Sequence, residues 1–229
     1  MSNSIFLFFT LVLLTGCSFI ESPKENSARS MLLETFKIAF PSIPELDSRQ
    51  KAEKLPYATI GVSFNGNHPV LMPLARKEDA ILQWVSSDFV SITTLHGRIQ
   101  QLYTDRISIS QIHISPLHSD YSFESARSTQ TVSAPVHLDI DSKNRYDVIG
   151  QATLRYEGTV NRDYWQKMHP MWLFSEEITI ASESYTNTNY YWLVPNTNVV
   201  WESTQQWWPK APQVHYRMLN SPTSVSLSR

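Results

Sequence analysis

The feature that most constrains the fold is an alternation of apolar and polar residues that begins after Leu55 and continues to Leu219. A period of two is typical of half-buried β-strands, because successive side chains point to opposite faces of a sheet. The predicted strands are residues 57–64, 70–74, 82–86, 89–95, 98–103, 107–114, 132–140, 146–156, 177–185, 189–195, 199–208 and 214–219.

Short turn signals connect these segments, and the clearest is Asn65-Gly66-Asn67, which predicts a β-hairpin. No alternation of strands with helices indicates a parallel sheet. We therefore expect a mainly β fold, an antiparallel meander that forms an open or closed barrel. Residues 115–133, rich in Ser and Thr, are predicted to form a long loop.

One helix is predicted, and it precedes the strands. Residues 28–40 place Met31, Leu32, Phe36 and Phe40 on one face, which is typical of an amphipathic helix. We expect it to pack into an open side of the barrel or to cover one end.

The N-terminus predicts export and lipidation. Residues 5–14 form an apolar run, about half the ~20 residues that a membrane-spanning helix needs but suited to an export signal. Leu14-Thr15-Gly16-Cys17 resembles the lipobox of bacterial lipoproteins, in which the Cys is acylated after cleavage; two acyl chains already anchor a protein stably. The alternative is a buried core Cys beside a chance apolar run. Export signals normally begin with a basic segment, and this sequence departs from that pattern because residues 1–4 contain no Lys or Arg.

These signals divide the chain into a signal peptide, a lipidated tether, one β-rich domain with its N-terminal helix, and a flexible tail. The predicted bounds are 1–16, 17–27, 28–220 and 221–229.

Composition excludes several classes of protein. A net charge of −2 gives no electrostatic basis for binding nucleic acid. One Cys permits neither an intramolecular disulfide nor a Cys-rich zinc site. We expect no cofactor and no metal.

Carboxylates are the first candidates for catalysis, and none forms a convincing pair. Glu176 and Glu177 are adjacent on a predicted strand, where they would point to opposite faces. Asp139 and Asp141 share a face but precede a turn, whose backbone such carboxylates usually bind. The chain also lacks a Gly-x-Ser-x-Gly elbow, a P-loop and a His-Glu-x-x-His motif. We therefore expect no enzymatic activity.

A metal site would require His113, His118 and Asp120 to converge. Pro116 interrupts this group and no third histidine matches its spacing, so solvated loop residues are the preferred interpretation.

Aromatic residues give a stronger signal, since the chain contains seven Trp and ten Tyr. An indole can stack on a sugar ring, whereas the alternative is packing in a β core. Trp84 and Trp192 are assigned to the core. Trp207 and Trp208, on a predicted strand, cannot both face inward, so one is expected to be exposed or to pack against a partner or a loop. The candidate ligand or partner contacts are Trp165, Trp172, Trp201, Trp207 and Trp208.

An ordered set of short motifs resembles the YjbF/GfcB family of bacterial lipoproteins. The motifs are Met31-Leu32-Leu33-Glu34-Thr35-Phe36, Leu55-Pro56-Tyr57-Ala58-Thr59, Trp84 followed by Ser87-Asp88, His96-Gly97-Arg98, Tyr191-Trp192-Leu193-Val194-Pro195 and Val200-Trp201-Glu202-Ser203. The resemblance implies a barrel-like domain on the periplasmic side of the outer membrane, encoded in operons for group 4 capsule or related exopolysaccharide. It implies no catalytic residue, and only Cys17 carries over, as the lipid site. Ser18 after the Cys is similar to the outer-membrane sorting signal of such lipoproteins.

The resemblance also implies partners: membrane lipid through Cys17, an outer-membrane β-barrel protein and a soluble periplasmic protein of the same operon, and polysaccharide. The first hypothesis is an accessory lipoprotein of exopolysaccharide assembly or export that acts by binding. A lipid or lipoprotein carrier with an apolar half-barrel groove is the alternative. A polysaccharide-modifying hydrolase would need two carboxyls about 5–9.5 Å apart in a cleft.

Overall fold

The structure of the chain is a computed structural model that describes residue 54, residues 56–87, 89–104, 108–109, 111–114 and 120–223, and residue 227. The predicted signal peptide, tether, helix 28–40 and most of the tail lie outside these residues, as do Cys17 and His118. No helix in the described part of the chain is long and apolar enough to cross a membrane.

All strands of the described chain belong to one sheet. They are β1 (Thr59–Phe64), β2 (Val70–Glu78), β3 (Ile81–Val85), β4 (Ser91–Leu95), β5 (Arg98–Tyr103), β6 (Ser108–Ile109), β7 (Gln111–Ile114), β8 (Thr131–Ile140), β9 (Arg145–Tyr164), β10 (Lys167–Ile180), β11 (Tyr185–Leu193), β12 (Val200–Gln205) and β13 (Val214–Asn220). Helix α1 spans Phe123–Thr129, and two single 3-10 turns span Asp141–Lys143 and Ala181–Glu183.

The sheet is an antiparallel meander that nearly closes into a barrel. Its order is β6-β5-β4-β3-β2-β1-β13-β12-β11-β10-β9-β8-β7, so strands that are neighbours in sequence pair, except β6 and β7, and the first pairs with the last. The two edge strands, β6 and β7, are successive parts of one segment; β6 pairs with β5 and β7 pairs with β8. This segment brings the two edges together, which confirms the predicted antiparallel barrel.

Turn residues enforce the meander where the sequence indicated it. Asn65 and Gly66 both have positive φ (52° and 72°), as the tightest hairpin turns require. His96 and Gly97 form a second such turn (49° and 82°) between β4 and β5. A Cβ on Gly97 would lie 2.4 Å from Cβ of Val200, so this glycine also allows the turn to contact β12.

The barrel interior is filled by large side chains. Those that are almost fully buried include Trp84, Tyr191, Phe174, Ile60, Met72, Ile92, Ile99, Ile109 and Ile112. Burial of one such aliphatic or Phe side chain contributes roughly 1.5–3 kcal/mol. Because they come from nine of the thirteen strands, they hold the meander around one core.

A long hairpin formed by β9 and β10 differs from the prediction, which ended a strand at residue 156 and began the next at 177. Trp165 and Gln166 form its turn with φ of 59° and 63°. Bulky residues rarely adopt this left-handed conformation, so the sequence carried no turn signal there.

A proline within a strand obscured the same region, and a second proline lies in β8. Pro170 lies in β10 and Pro135 in β8, where a missing N–H interrupts pairing on one side. Both are tolerated because each strand has a single neighbour at that point: β11 pairs with β10 only from Trp172, and β7 with β8 only from Val136.

The predicted strand 177–185 is wrong, because the chain reverses within it. The 3-10 turn Ala181–Glu183 and Ser184, with φ of 48°, connect β10 to β11. The turn Asp141–Lys143, followed by Asn144 at φ 49°, has the same geometry. Asparagine adopts this left-handed conformation much more often than serine. The turn that ends at Asn144 was therefore anticipated, whereas the turn that ends at Ser184 was not.

Helix α1 was also missed, since residues 115–133 were predicted to be a loop. Ser122 caps the helix by accepting a hydrogen bond from the Ser125 N–H (3.0 Å), and Phe123 and Ala126 are buried beneath it. The Ser-rich composition that indicated a loop therefore includes a helix cap.

Candidate functional site

A pocket of about 300 Å³ lies at the end of the barrel where α1 and the β11–β12 turn meet, and it is called the mouth pocket here. Its lining residues are Phe123, Glu124, Arg127, Trp172, Phe174, Leu193, Asn196, Thr197 and Asn198. Barrel mouths are a common place for ligand sites, and this volume is at the lower end of the usual range of about 300–1,000 Å³.

The floor of the mouth pocket is aromatic. Trp172 and Phe174 point to the same face of β10, and Tyr156 contacts both, at ring-centroid distances of 6.4 and 5.1 Å. Phe123 of α1 packs edge-on against Phe174 at 5.0 Å and against Tyr191 at 5.2 Å. These contacts hold the short helix against the barrel and keep the floor rigid.

The rim of the mouth pocket is polar. Glu124 and Arg127 are exposed and lie three residues apart, on one side of α1. The Arg127 guanidinium carbon is 4.6 Å from the centroid of the Trp172 ring. Asn196 and Asn198 are exposed on the opposite side, in a turn that Thr197 stabilises by donating from Oγ1 to the Val194 carbonyl (2.8 Å).

Directly beneath the floor lies a buried group of polar side chains, here called the inner cluster: Arg98, Tyr121, Glu176, Tyr191 and Gln205. Nε of Arg98 donates to Oε1 of Glu176 at 2.8 Å, and the Tyr121 hydroxyl donates to the same oxygen at 2.9 Å. Tyr191 donates to Oε2 of Glu176. Since β5 and β10 lie on different sides of the barrel, this cluster ties its walls together.

Aromatic rings surround the Arg98 cation of the inner cluster. Its guanidinium carbon lies 4.0 Å from the ring centroid of Phe123 and 5.5 Å from that of Tyr191. Burial would lower the pKa of Arg98, but Glu176 and Tyr191 outweigh it and raise the pKa. Burial, and then the neighbouring carboxylate, raises the pKa of Tyr121 and of Tyr191, so both remain neutral hydroxyl donors.

A second buried group, the outer cluster, surrounds Glu202: Arg162, Tyr164, His215 and Arg217. Oε1 of Glu202 lies 2.6 Å from Nη2 of Arg162 and 2.8 Å from Nε2 of His215. Tyr164 donates to Oε2 at 2.8 Å. Burial would raise the pKa of Glu202, but Arg217, Arg162 and His215 outweigh it and hold the pKa well below its usual range.

The two buried carboxylates lie on opposite faces of the sheet. Tyr191, whose hydroxyl binds Glu176, is adjacent to Trp192, which pairs with Glu202 across β11 and β12. Adjacent residues of a strand point to opposite faces. Glu176 and Glu202 therefore cannot act together as the acid and base of a glycosidase.

The carboxylates considered from sequence behave as strand geometry requires. Glu176 is fully buried whereas Glu177 is exposed, so they do not share a site. Asp139 accepts a hydrogen bond from the backbone N–H of Asp147 at 2.8 Å, which lies in β9 just beyond the predicted turn.

Metal ligands are not gathered in the described residues: no group of three or more His, Cys, Asp or Glu side chains converges there. Of the histidine group, His118 and the side chain of His113 lie outside the description.

The five tryptophans predicted as contacts fall into two groups. Trp201, Trp207 and Trp208 are buried, at 2%, 2% and 5% exposure. Trp165, in the β9–β10 turn, and Trp172, in β10, are half-buried, and of the two only Trp172 lines the mouth pocket.

The prediction that Trp207 and Trp208 lie on a strand is wrong. β12 ends at Gln205, and in the loop that follows both indoles pack inward, because loop backbone need not alternate. Nε1 of Trp207 donates to Oε1 of Gln205 at 3.1 Å, which joins it to the inner cluster.

Sequence reasoning missed Arg98, Glu176 as an ion-pair partner, and Glu202. Buried charges cost free energy unless paired, and the partners here are far apart in sequence, so composition gave no signal for them. Helix α1, which supplies Glu124 and Arg127, was also missed, because its residues were predicted to form a loop.

The described residues also line two other pockets, one of which shares Asn198 with the mouth pocket. A groove of about 470 Å³ on the outer surface of β2 to β5 is lined by Gln83, Gln100, Gln101, Thr93, Arg76, Glu78, Ile81 and Leu95. An apolar crevice of about 210 Å³ lies near Leu82, Val200 and Met218. Neither combines a half-exposed tryptophan with polar groups, as the mouth pocket does.

Comparison with known proteins gives a family and a fold. The structure is similar to the crystal structure of the hypothetical lipoprotein YmcC from Escherichia coli (K12), with a TM-score of 0.62 and 16% sequence identity over 86% of this chain and 95% of that one. No curated protein matches the chain. Residues 34–219 match the family described as group 4 capsule polysaccharide lipoprotein gfcB, YjbF. The chain therefore belongs to the YjbF family of group 4 capsule polysaccharide lipoproteins.

Proposed function

We propose that this protein is an accessory lipoprotein of capsule or exopolysaccharide assembly or export, and that it acts by binding or positioning rather than by breaking bonds. The observation that carries the proposal is the family match over residues 34–219. The opposite placement of Glu176 and Glu202 supports a binding role, since the two buried carboxylates cannot form a hydrolytic pair.

The proposed location is the periplasmic side of the outer membrane. Cys17 would carry the lipid anchor, and Ser18 would permit delivery to the outer membrane. An outer-membrane β-barrel protein and a soluble periplasmic protein of the same operon are the proposed partners, together with the polysaccharide.

The packing of the barrel favours this role over a lipid carrier. An acyl-chain carrier needs a dry apolar groove, whereas the interior here contains Trp84, Phe174 and the Arg98–Glu176 ion pair. The apolar crevice near Met218, at about 210 Å³, is below the usual size of a ligand site.

Deletion of the gene, followed by complementation, tests the proposed function. We expect deletion to reduce surface polysaccharide under conditions in which the parent strain makes it, and the wild-type gene to restore it. Unchanged polysaccharide in the deletion strain would overturn the proposal.

The anchor is tested separately by Cys17→Ser. Loss of the thiol should prevent acylation and leave the signal peptide attached, measured by intact mass and membrane fractionation. A Cys17→Ser protein that still fractionates as a mature outer-membrane lipoprotein would refute the anchor while leaving the role in polysaccharide assembly open to the deletion test.

A further inference from the structure

The mouth pocket presents polar side chains that the protein does not use. Glu124, Asn196 and Asn198 line it with exposed carboxylate and amide groups, and within the described part of the chain these side chains make no hydrogen bond. Water solvates such exposed groups in the free protein, and a ligand with hydroxyl groups can replace that water. Here they converge on one cavity, where they can donate to and accept from a ligand.

The pocket floor adds an aromatic surface of fixed orientation. Trp172 is half-buried and is held from below by Tyr156, which meets it edge-on at an interplanar angle of 82°. Phe123 and Phe174 form the adjacent wall. Such a floor offers a flat apolar face whose position is set before any ligand arrives, which lowers the entropic cost of binding.

Arg127 covers one face of the Trp172 indole, but weakly. Its guanidinium is exposed and contacts the ring at 4.6 Å, and exposed cation–π contacts are among the weakest of their class. A flat ligand can therefore displace the guanidinium from the indole. Arg127 can then donate a hydrogen bond to the edge of the ligand.

The charges of the lining select the class of ligand. Glu124 and Arg127 are the two ionised residues of the pocket and they cancel, so phosphate or sulfate gains no net attraction. A neutral, hydroxyl-rich ring fits better: its apolar face matches an indole, and its hydroxyls match carboxylate, amide and guanidinium groups. The volume of about 300 Å³ suits a ligand of this small size.

We propose that the mouth pocket binds one neutral sugar unit of a polysaccharide, with its ring against the Trp172 indole and its hydroxyls bonded to Glu124, Asn196 and Asn198. This inference rests on the proposed function, because it names the surface through which the protein would contact the polymer. It goes beyond that function in assigning a site, a ligand class and the orientation of the sugar ring.

The experiment is calorimetric titration of the mature protein with short neutral oligosaccharides released from the purified surface polysaccharide of the producing bacterium. Trp172→Ala should weaken binding at least about tenfold, the loss expected when a stacking partner worth about 1.4 kcal/mol is removed. Trp165→Ala is the matched control, since Trp165 is also half-buried but does not line the pocket. It should leave the affinity unchanged.

A second variant tests the same site if Trp172→Ala does not fold. Asn198→Ala changes an exposed turn residue and should weaken binding by roughly threefold to tenfold, the effect of one lost hydrogen bond. Asn67→Ala, in the exposed β1–β2 turn, is its control and should have no effect. Affinity should change little as rising salt shortens the screening length from about 10 Å to about 3 Å.

Three results would overturn the inference: no binding by the wild type, equal losses in Trp172→Ala and Trp165→Ala, or affinity that falls steeply with salt. If the deletion strain lacks polysaccharide while the wild-type protein binds no oligosaccharide, the inference fails and the proposed function stands. If binding is found but deletion has no effect on polysaccharide, the proposed function fails and the site stands.

Discussion

Glu176 and Glu202 are both fully buried, at 0% exposure, yet the protein surrounds them differently. In the inner cluster, Glu176 has one cation, Arg98, and two neutral tyrosine hydroxyls. In the outer cluster, Glu202 faces Arg162, Arg217 and His215 together. One carboxylate is balanced by a single charge, and the other is held in an excess of positive charge.

The difference indicates two separate structural roles. Arg98 and Glu176 are 78 residues apart and connect β5 to β10 through the interior. The partners of Glu202 come from β9 and β13, which lie on the same side of the barrel as β12. The inner cluster therefore fixes how the walls face one another, next to the mouth pocket, while the outer cluster stiffens one wall. A buried ion pair of either kind is weak evidence for net stability, but removal of one partner is costly because it leaves an uncompensated buried charge.

The largest effect should come from Glu202→Gln. Removing the carboxylate leaves the buried Arg162 and Arg217 without their common counter-charge, and we expect the free energy of unfolding at neutral pH to fall by about 4–5 kcal/mol. Urea denaturation measures this. Glu177→Gln, an exposed change on β10, is the control and should stay within about 0.5 kcal/mol of the wild type.

The same carboxylate should make the wild type sensitive to acid. Because the folded state lowers the pKa of Glu202 below its usual 4.5, its stabilisation is fully present above about pH 4.5 and is lost as pH falls toward the folded-state pKa. Glu202→Gln should therefore show a flatter decline of stability below pH 4.5. Parallel declines in the two proteins would contradict this assignment.

Glu176→Gln should cost less, about 3 kcal/mol, because Arg98 keeps its contacts with three aromatic rings. The amide oxygen can still accept from one of Tyr121 and Tyr191, and the hydroxyl of the other can accept from the amide N–H. Urea denaturation beside Glu202→Gln tests the ranking. A larger loss for Glu176→Gln would show that the cross-barrel pair, rather than the excess of positive charge, dominates stability.

The smallest effects should come from removing one hydroxyl in each cluster. Tyr164→Phe deletes the hydrogen bond to Oε2 of Glu202 and should cost about 1.5–3 kcal/mol, as for other bonds to charged groups. Tyr191→Phe deletes the corresponding bond to Oε2 of Glu176 and should cost a similar amount, about 1.5–3 kcal/mol, since Tyr121 and Arg98 bind only Oε1 of that carboxylate. Thermal and urea unfolding of this matched pair would show whether the two hydroxyls stabilise the protein equally.

Much of the fold could be predicted from local features. The alternation from β1 to β13 and the turn at Asn65-Gly66 were sufficient for an antiparallel meander, and the barrel confirms it. The prediction was wrong where local signals mislead: at the Trp165–Gln166 turn, which bulky residues rarely form, and in the Ser-rich segment that contains α1. The family match confirms the resemblance carried by ordered motifs. Acylation of Cys17 stays a prediction.

Less of the candidate site could be predicted. Trp172 was named as a possible contact, but so were Trp201, Trp207 and Trp208, which are buried. Sequence could not separate them, because whether an indole reaches solvent depends on what covers it.

By itself, the sequence determined the strand period, the main hairpin turns and the family, all of which depend on residues close together in the chain or on their order along it. Only the tertiary structure decided that Arg98 meets Glu176, that Glu202 lies on the opposite face, and that Trp172 opens into a pocket with Glu124 and Asn198. Those contacts depend on how the strands, twelve when β6 and β7 are counted as one, close into a barrel, because closure sets which distant side chains meet.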